Sequence, residues 1–394
     1  MTLITESAAL AAFCERQAKA EFIAVDTEFL RDNTYWPKLC LVQVGGPEEV
    51  AAIDTLAPGL DLTPLLDLLY DPALLKVFHS ARQDLEIFYH MTGRLPAPVF
   101  DTQVAAMVCG FGDSVSYEIL VRKLAGAKID KASRFADWSH RPLTKRQLDY
   151  ALADVIHLRP AYKKLKTKLG KNGRAEWLRE EMDVLTDPTT YDLAPQGAWR
   201  RLKTRSTDGR YLAVLRALAT WRDTEAQRRD TPRGRVLRDE QLFDIAAHTP
   251  KTPEELGRTR GLGRDLAKGR IGQAILAAVA EGLAVPQAEL PKAAPRSELP
   301  KGLGPLIDLL KVLLKMRSEE HHVAQRLVAS VADLEAIAAD DAAEVPALKG
   351  WRREIFGTDA LALKHGRVAL SSGGGRVTVV EIGQPHGAGE QAAQ

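Results

Sequence analysis

The sequence predicts an α/β domain built on a mixed sheet with flanking helices, followed by two small all-α domains. Three observations predict it. Up to about residue 186, short apolar runs bounded by Gly, Pro and acidic residues come first and then alternate with stretches of helical periodicity. Two polar, Pro-bearing stretches follow, and between and beyond them the apolar spacing is helical throughout. Charge changes across the first of these boundaries. The 394 residues sum to only +2, yet residues 197–272 hold 18 Lys/Arg against 10 Asp/Glu, with 11 of the basic residues between Arg200 and Arg235. Such a concentration points to a polyanionic partner for the middle of the chain.

Taken in order, residues 7–19 read as an amphipathic helix and residues 21–28 as the first strand. Residues 38–45 and 50–55 read as two more, separated by Gly45-Gly46-Pro47, so three antiparallel strands are expected first. A helix over 63–69, a strand over 76–79, a helix over 81–90 and a short strand over 99–102 follow. Helices near 104–109 and 117–124 lead into a mostly helical stretch. The expected organisation is a first domain over 1–187, a linker over 188–207, a helical domain over 208–286 and a second linker over 287–304. A further helical domain over 305–370 and a flexible tail over 371–394 complete it, with one strand-like run at 376–382.

Composition narrows the class. Apolar content of 45% and charged content of 27% are those of a globular protein. Three widely spaced cysteines, Cys14, Cys40 and Cys109, exclude a disulfide framework or a CxxC metal site and fit a reducing cytoplasm. Residues 1–19 lack the pattern of a signal peptide, and no run reaches 18 apolar residues. A cytoplasmic monomer with no membrane partner is expected.

The chemistry is carried by acids. In Phe22-Ile23-Ala24-Val25-Asp26-Thr27-Glu28 an apolar run ends in two carboxylates at i and i+2, which a strand projects to one face. Alone this is ordinary at strand ends; brought close, two like charges call for a cation between them. In VFHSARQDLEIF a strand runs into a helix and places Asp84 in its first turns, where an acid also complements the helix dipole. His79 ends that strand. In QLDYALADV, Tyr150 and Asp154 are four apart and share a helix face. Thr144 is a natural N-cap for that helix with Gln147 at its third position, so the cap fixes where Tyr150 and Asp154 point.

Asp26, Glu28, Asp84 and Asp154 can meet at one sheet edge with Tyr150. Oxygen-only ligation suits two hard divalent ions, Mg²⁺ or Mn²⁺. Such a pair clamps the attacking and leaving oxygens of an in-line phosphoryl displacement, with the phenol beside the attacking water. The reaction expected is phosphodiester hydrolysis.

FIAVDTEF with LRDNTYWPKLCLVQVG, then VFHSARQDLEIF, then DWSHRPLTKRQLDYALADV resemble the three exonuclease motifs of the tyrosine-bearing DEDD superfamily, and specifically the ribonuclease D family. The resemblance spans most of residues 20–165 and implies a ribonuclease H-like, DnaQ-like fold. It assigns catalysis to Asp26, Glu28, Asp84, Tyr150 and Asp154 and metal ligation to the four acids. It implies removal of nucleoside 5′-monophosphates from RNA 3′ ends, notably of tRNA precursors. Phe29, Leu30 and His79 are the expected substrate contacts, the first two as a wedge at the terminal base or simply as core. Leu215-Arg216, Trp221-Arg222, Asp230-Thr231-Pro232-Arg233, Leu256 and the 261–263 loop are similar to HRDC modules of ribonuclease D and RecQ-type helicases. The last helical unit, near −2 over residues 273–394, resembles a divergent second copy. Two alternatives stand beside this reading: a DNA exonuclease of the same superfamily, and a catalytically silent nucleic-acid-binding scaffold.

Overall fold

The structure, a computed structural model, describes residues 2–129, 136–292, 300 and 302–382. It opens with β1 (Thr2–Ile4), a strand too short to show alternation in the sequence, and α1 (Ser7–Gln17), which buries Leu10, Phe13 and Cys14. Strands β2 (Phe22–Leu30), β3 (Lys38–Gly45) and β4 (Val50–Ile53) form the expected antiparallel meander, and β1 pairs parallel with β4. Two crossovers through α2 (Thr63–Tyr70) and α3 (Arg82–Thr92) add β5 (Leu75–Phe78) and β6 (Val99–Asp101) parallel to β2. The sheet order is β1-β4-β3-β2-β5-β6. The carboxyl ends of β2, β5 and β6 therefore share one edge, the side of an α/β sheet where ligand sites collect.

Helices α4 (Thr102–Val108), α5 (Tyr117–Leu124), α6 (Lys145–Asn172) and α7 (Ala175–Leu185) complete the domain. Alternation along β2 sorts its side chains between two layers. Ile23 and Val25 pack with α1, α2 and α3, whereas Phe22 and Ala24 pack with Val155 and Leu158 of α6. By the same alternation, Asp26 and Glu28 fall on the α6 face, and Thr27 and Phe29 on the α3 face. Helix α6 lies tight on β3 because Gly45 has no side chain: a Cβ there would stand 3.1 Å from Val155 Cβ and 3.2 Å from its carbonyl oxygen.

Residues 188–207 are not a free linker. Two 3₁₀ turns, Pro188–Tyr191 and Pro195–Arg201, bury Tyr191 in the first core and Ala198, with Leu202, in the second. The second core belongs to α8 (Gly209–Arg228), α9 (Arg233–Val236), α10 (Asp239–His248), α11 (Pro253–Leu256), α12 (Arg264–Lys268) and α13 (Arg270–Ala284), and includes Leu215, Leu218, Leu242, Ile245 and Ile275. A third core, with Leu310, Leu313, Ile337 and Phe356, is built by α14 (Gly304–Glu320), α15 (Gln325–Val328), α16 (Val331–Ala339), α17 (Gly350–Arg352), a π-helical turn over Arg353–Gly357, and α18 (Thr358–Lys364).

The tail expected to be flexible from residue 371 is structured as far as the structure describes it. Strands β7 (Val368–Gly373) and β8 (Arg376–Glu381) pair as a hairpin around Gly374 and Gly375, both at positive φ, and Leu370 and Val379 pack on the third core. Alternation in Arg376-Val377-Thr378-Val379-Val380 supplies the half-buried face such a hairpin needs. Residues 383–394 lie outside the described residues, as do 293–299 and 301 of the second expected linker.

The two helical units repeat one local pattern at a constant offset of 92 residues. A long helix ends at Arg228 or Glu320, a residue at positive φ follows (Asp230 at 45°, His322 at 49°), then a one-turn helix (Arg233–Val236, Gln325–Val328), then a helix starting at Asp239 or Val331. The hydrogen bond from Thr231 N to the Ala226 carbonyl has its counterpart from Val323 N to the Ser318 carbonyl, both 3.0 Å. Among the described residues, no helix is long and apolar enough to cross a membrane.

Candidate active site

Three segments far apart in sequence converge at the sheet edge. β2 delivers Asp26 and Glu28. Helix α6 delivers Asp154 and Tyr150, its start fixed by the capping box: Thr144 Oγ1 accepts from Gln147 N at 3.2 Å and Gln147 Oε1 accepts from Thr144 N at 3.0 Å. The loop before it is anchored by Arg141, which donates to Asp54 at 2.6 and 2.7 Å and to the carbonyls of Cys40 and Trp138 at 2.8 Å. Trp138 lies beneath Tyr150, ring centroids 6.1 Å apart.

Asp26, Glu28 and Asp154 each offer a carboxylate oxygen, all within 4.8 Å of one another. They line a cavity of about 300 Å³ with Thr27, His79, Tyr117, Tyr150 and Leu158. Burial, reinforced by Asp154, raises the Asp26 pKa well above the usual carboxylate range. Burial and then the charges of Asp26, Asp154 and Asp84 push Glu28 to about 10, and burial raises Asp154 to about 7. Groups arranged this way bind a hard cation or hold protons; they do not tolerate several bare charges. The donor set, carboxylate oxygens alone, fits a divalent ion such as Mg²⁺ or Mn²⁺.

Asp84 stands apart from the three. Its helix packs on the opposite face of the sheet, and its Oδ1 accepts from Thr27 Oγ1, the one side chain in Asp-Thr-Glu that alternation turns toward α3. Burial and the neighbouring Asp26 raise its pKa as well. The start of α3 is set by a residue with no sequence signal, Asp101, whose carboxylate accepts from the backbone N–H of Ser80 (2.9 Å), Ala81 (2.8 Å) and Gln103 (2.7 Å). This fixes the turn in which Ser80 sits at φ 64°.

His79 does reach the cavity. Its Nδ1 is 3.0 Å from Thr102 Oγ1, its ring centroid is 5.2 Å from that of Tyr117, and burial lowers its pKa to about 4, so the imidazole is neutral at pH 7. Tyr117, unmarked in the sequence, donates to the Asp154 carbonyl and so ties α5 to the turn of α6 that carries the acid. Phe29 and Leu30 do not line the cavity. Phe29 packs on the core under the sheet. Leu30 packs with Trp138 and Leu152 and borders a separate cavity of about 320 Å³ with Asp32, Asn33 and Lys38.

A mixed sheet with clustered, half-buried acids at the carboxyl edge of its parallel strands defines the class, and comparison with known proteins agrees. Residues 1–170 match the family described as 3′-5′ exonuclease and residues 211–279 match the HRDC domain. Ribonuclease D of Nitrobacter hamburgensis is 53% identical over 381 residues, covering 97% of this chain and all of the relative. That of Granulibacter bethesdensis is 52% identical over 385 residues, 97% of each. The crystal structure of Escherichia coli RNase D, described as an exoribonuclease involved in structured RNA processing, superposes with a TM-score of 0.79 at 31% identity, covering 92% of this chain and 98% of that one. The chain belongs to the ribonuclease D family.

Proposed function

We propose that the acidic cavity is the hydrolytic centre of this 3′-5′ exoribonuclease, releasing nucleoside 5′-monophosphates from RNA 3′ ends, with tRNA precursors among its substrates. One observation carries the reading: three carboxylates from β2 and α6 lie within 4.8 Å of one another, half-buried in the wall of one cavity, a placement that calls for a cation or protons to offset their charge. Asp26, Glu28 and Asp154, with Asp84 alongside, are the residues to hold two divalent ions, Mg²⁺ or Mn²⁺. When bound, such ions stabilise negative charge on the attacking and leaving oxygens. Tyr150, which lines the cavity, is the residue to orient the attacking water. Neutral His79 contacts the substrate without adding charge.

The third helical unit we read as a second, divergent HRDC-like domain; its 92-residue correspondence with the first supports this. Three buried, unpaired cysteines fit a cytoplasmic setting.

The test is a time course on a 3′-tailed RNA with Mg²⁺ and an EDTA control. Asp26→Asn and Asp154→Asn each remove one charge from a crowded site, so both variants fold. Each is expected to lower mononucleotide release by more than about a hundredfold, since even partners of metal ligands are worth 10–100-fold. Undiminished release would place the reaction elsewhere.

A further inference from the structure

Strand β2 is poorly held where it carries its acids. Its pairing with β5 covers only Phe22–Ala24, so from Val25 onward it has one strand neighbour, β3, and the register with β3 breaks between Glu28 and Phe29. The next residues, 31–37, have no regular structure of their own. Something else must fix this end of the strand, and the contacts show what does.

From the exonuclease side, Arg31 makes a two-pronged ion pair with Glu86 of α3 at 2.7 and 3.0 Å, and the Trp36 ring meets His90 edge-on at 4.5 Å. From the HRDC side, Asp230 Oδ1 accepts from the backbone N–H of both Tyr35 and Trp36 at 3.0 Å. The Tyr35 hydroxyl donates to Asp223 Oδ2 at 2.9 Å and accepts from Arg233 at 2.7 Å and Gln227 at 3.1 Å, with the Arg233 guanidinium 4.8 Å over its ring. Tyr35 is 7% exposed and packs on Ala226 and Val236, and Asp223 is fully buried. The loop is thus clamped between the helix that bears Asp84 and the HRDC domain, three residues beyond Glu28.

We propose that the HRDC domain is a positioning element for the hydrolytic centre. Through Asp230 and Tyr35 it fixes the 31–37 loop, and with it the ends of β2 and α3, so it sets turnover even on substrates too short to touch it. The proposal rests on the acidic cavity being the hydrolytic centre. A free loop of this length moves on the nanosecond to microsecond scale, and a displacement of about 1 Å at reacting groups is enough to lower a rate on the order of a hundredfold. Electrostatic attraction of RNA to the basic domain, by contrast, acts on affinity for long substrates.

Asp230 makes a clean test possible. At φ 45° it occupies the left-handed region that glycine adopts without strain. Asp230→Gly therefore deletes the carboxylate without straining the backbone, and Asp230→Asn keeps an oxygen to accept both N–H groups. In the full chain with Mg²⁺, Asp230→Gly is expected to lower kcat by roughly tenfold or more on a diribonucleotide and by the same factor on a 3′-tailed RNA. The KM for the diribonucleotide should hold, and Asp230→Asn should recover most of the loss. Full turnover of the diribonucleotide by the Gly variant, with only weaker binding of the tailed RNA, would reduce the domain to an RNA-binding surface and overturn the proposal. Failure of Asn to rescue would also overturn it. Circular dichroism checks that the Gly variant is folded; if it is not, Tyr35→Phe, which removes only the hydroxyl, is held to the same kcat and KM outcomes. Asp26→Asn run in parallel separates the two readings: if it keeps full turnover the hydrolytic centre itself is misplaced, whereas loss there with normal turnover in Asp230→Gly sinks the positioning role alone.

Discussion

The two helical units meet the exonuclease domain with the same turn, and they do different work with it. In the HRDC domain, the turn at 230–236 grips an irregular loop, using a fully buried carboxylate, Asp223, with Tyr35 and Arg233. In the third unit, the equivalent turn at 322–328 grips the end of α4 by main-chain contacts. Ala324 N donates to the Met107 carbonyl at 3.0 Å, Arg326 N to Asp113 Oδ1 at 3.1 Å, and Arg174 donates to the carbonyls of His321 and His322. Gly110, at φ 80°, lets His322 in: a Cβ there would fall 2.5 Å from the His322 carbonyl oxygen. Around it Trp177 stacks on Trp351 at 4.2 Å, and Arg352 pairs with Glu180 and Glu181. One turn holds a loop that has no regular structure; the other fastens the end of α4, the turn that follows it and the start of α7.

If that difference is real, breaking the second contact should cost stability and spare turnover. Trp351 is 4% exposed, and Trp351→Ala is expected to destabilise the protein by about 3–5 kcal/mol, the usual range for emptying a buried aromatic site. At a temperature where the variant is still folded, its kcat on a diribonucleotide should match the parent. A parallel fall in kcat would mean that both units position the site. A smaller effect is expected at Gly45, which touches neither contact. Gly45→Ala forces Val155 back by a few tenths of an ångström, costs about 1–3 kcal/mol, and shifts Asp154 next to it. Its kcat should fall without the rescue pattern of Asp230. A normal kcat would show that α6 tolerates movement that β2 does not.

The smallest effect concerns the other side of the clamped loop. Burial alone would raise the Glu86 pKa, but His90, whose Nε2 lies 3.8 Å from Oε1, and the two-pronged pair with Arg31 outweigh it and hold the carboxyl near 2. A carboxyl depressed in the folded state contributes stability above its ordinary pKa near 4.5, and loses that contribution as pH falls toward 2. Glu86→Gln should therefore flatten the acid limb of a stability-against-pH curve between about pH 4.5 and 2, and shift the melting temperature only slightly at pH 7 because the pair is partly solvated. An unchanged acid limb would show that Arg31 is not a latch.

How much of this was legible in the sequence follows from how local each cause is. The i, i+2 acids of β2, the Thr144/Gln147 cap and the i, i+4 spacing of Tyr150 and Asp154 are patterns within a few residues, and the structure places them as read. The same alternation that groups Asp26 with Glu28 turns Thr27 the other way, and its bond to Asp84 crosses 57 residues. Asp101 reads as an ordinary strand end because its three partners are backbone amides, 20 and 21 residues before it and 2 after. Phe29 was ambiguous between wedge and core because one position in a strand does not reveal which layer lies above it. The clamp on Tyr35 joins residues up to 198 apart, and no pattern in either segment announces the other. The hairpin at 368–381 was half legible, through its valines, in a stretch whose glycines suggested disorder.

The packed connector makes any opening of the clamp brief. Between Tyr191, buried in the exonuclease core, and Ala198, buried in the HRDC core, only residues 192–197 would have to stretch, and in the closed state Leu193 packs beside Tyr35 while its carbonyl accepts from Gln227 at 2.9 Å. Fully extended, such a tether spans roughly 20 Å. It holds the released domain at an effective concentration on the order of millimolar or above. An opened clamp is therefore met again by its own partner before another molecule can compete for it. Weakening any one of its bonds should grade the closed population down rather than free the domain.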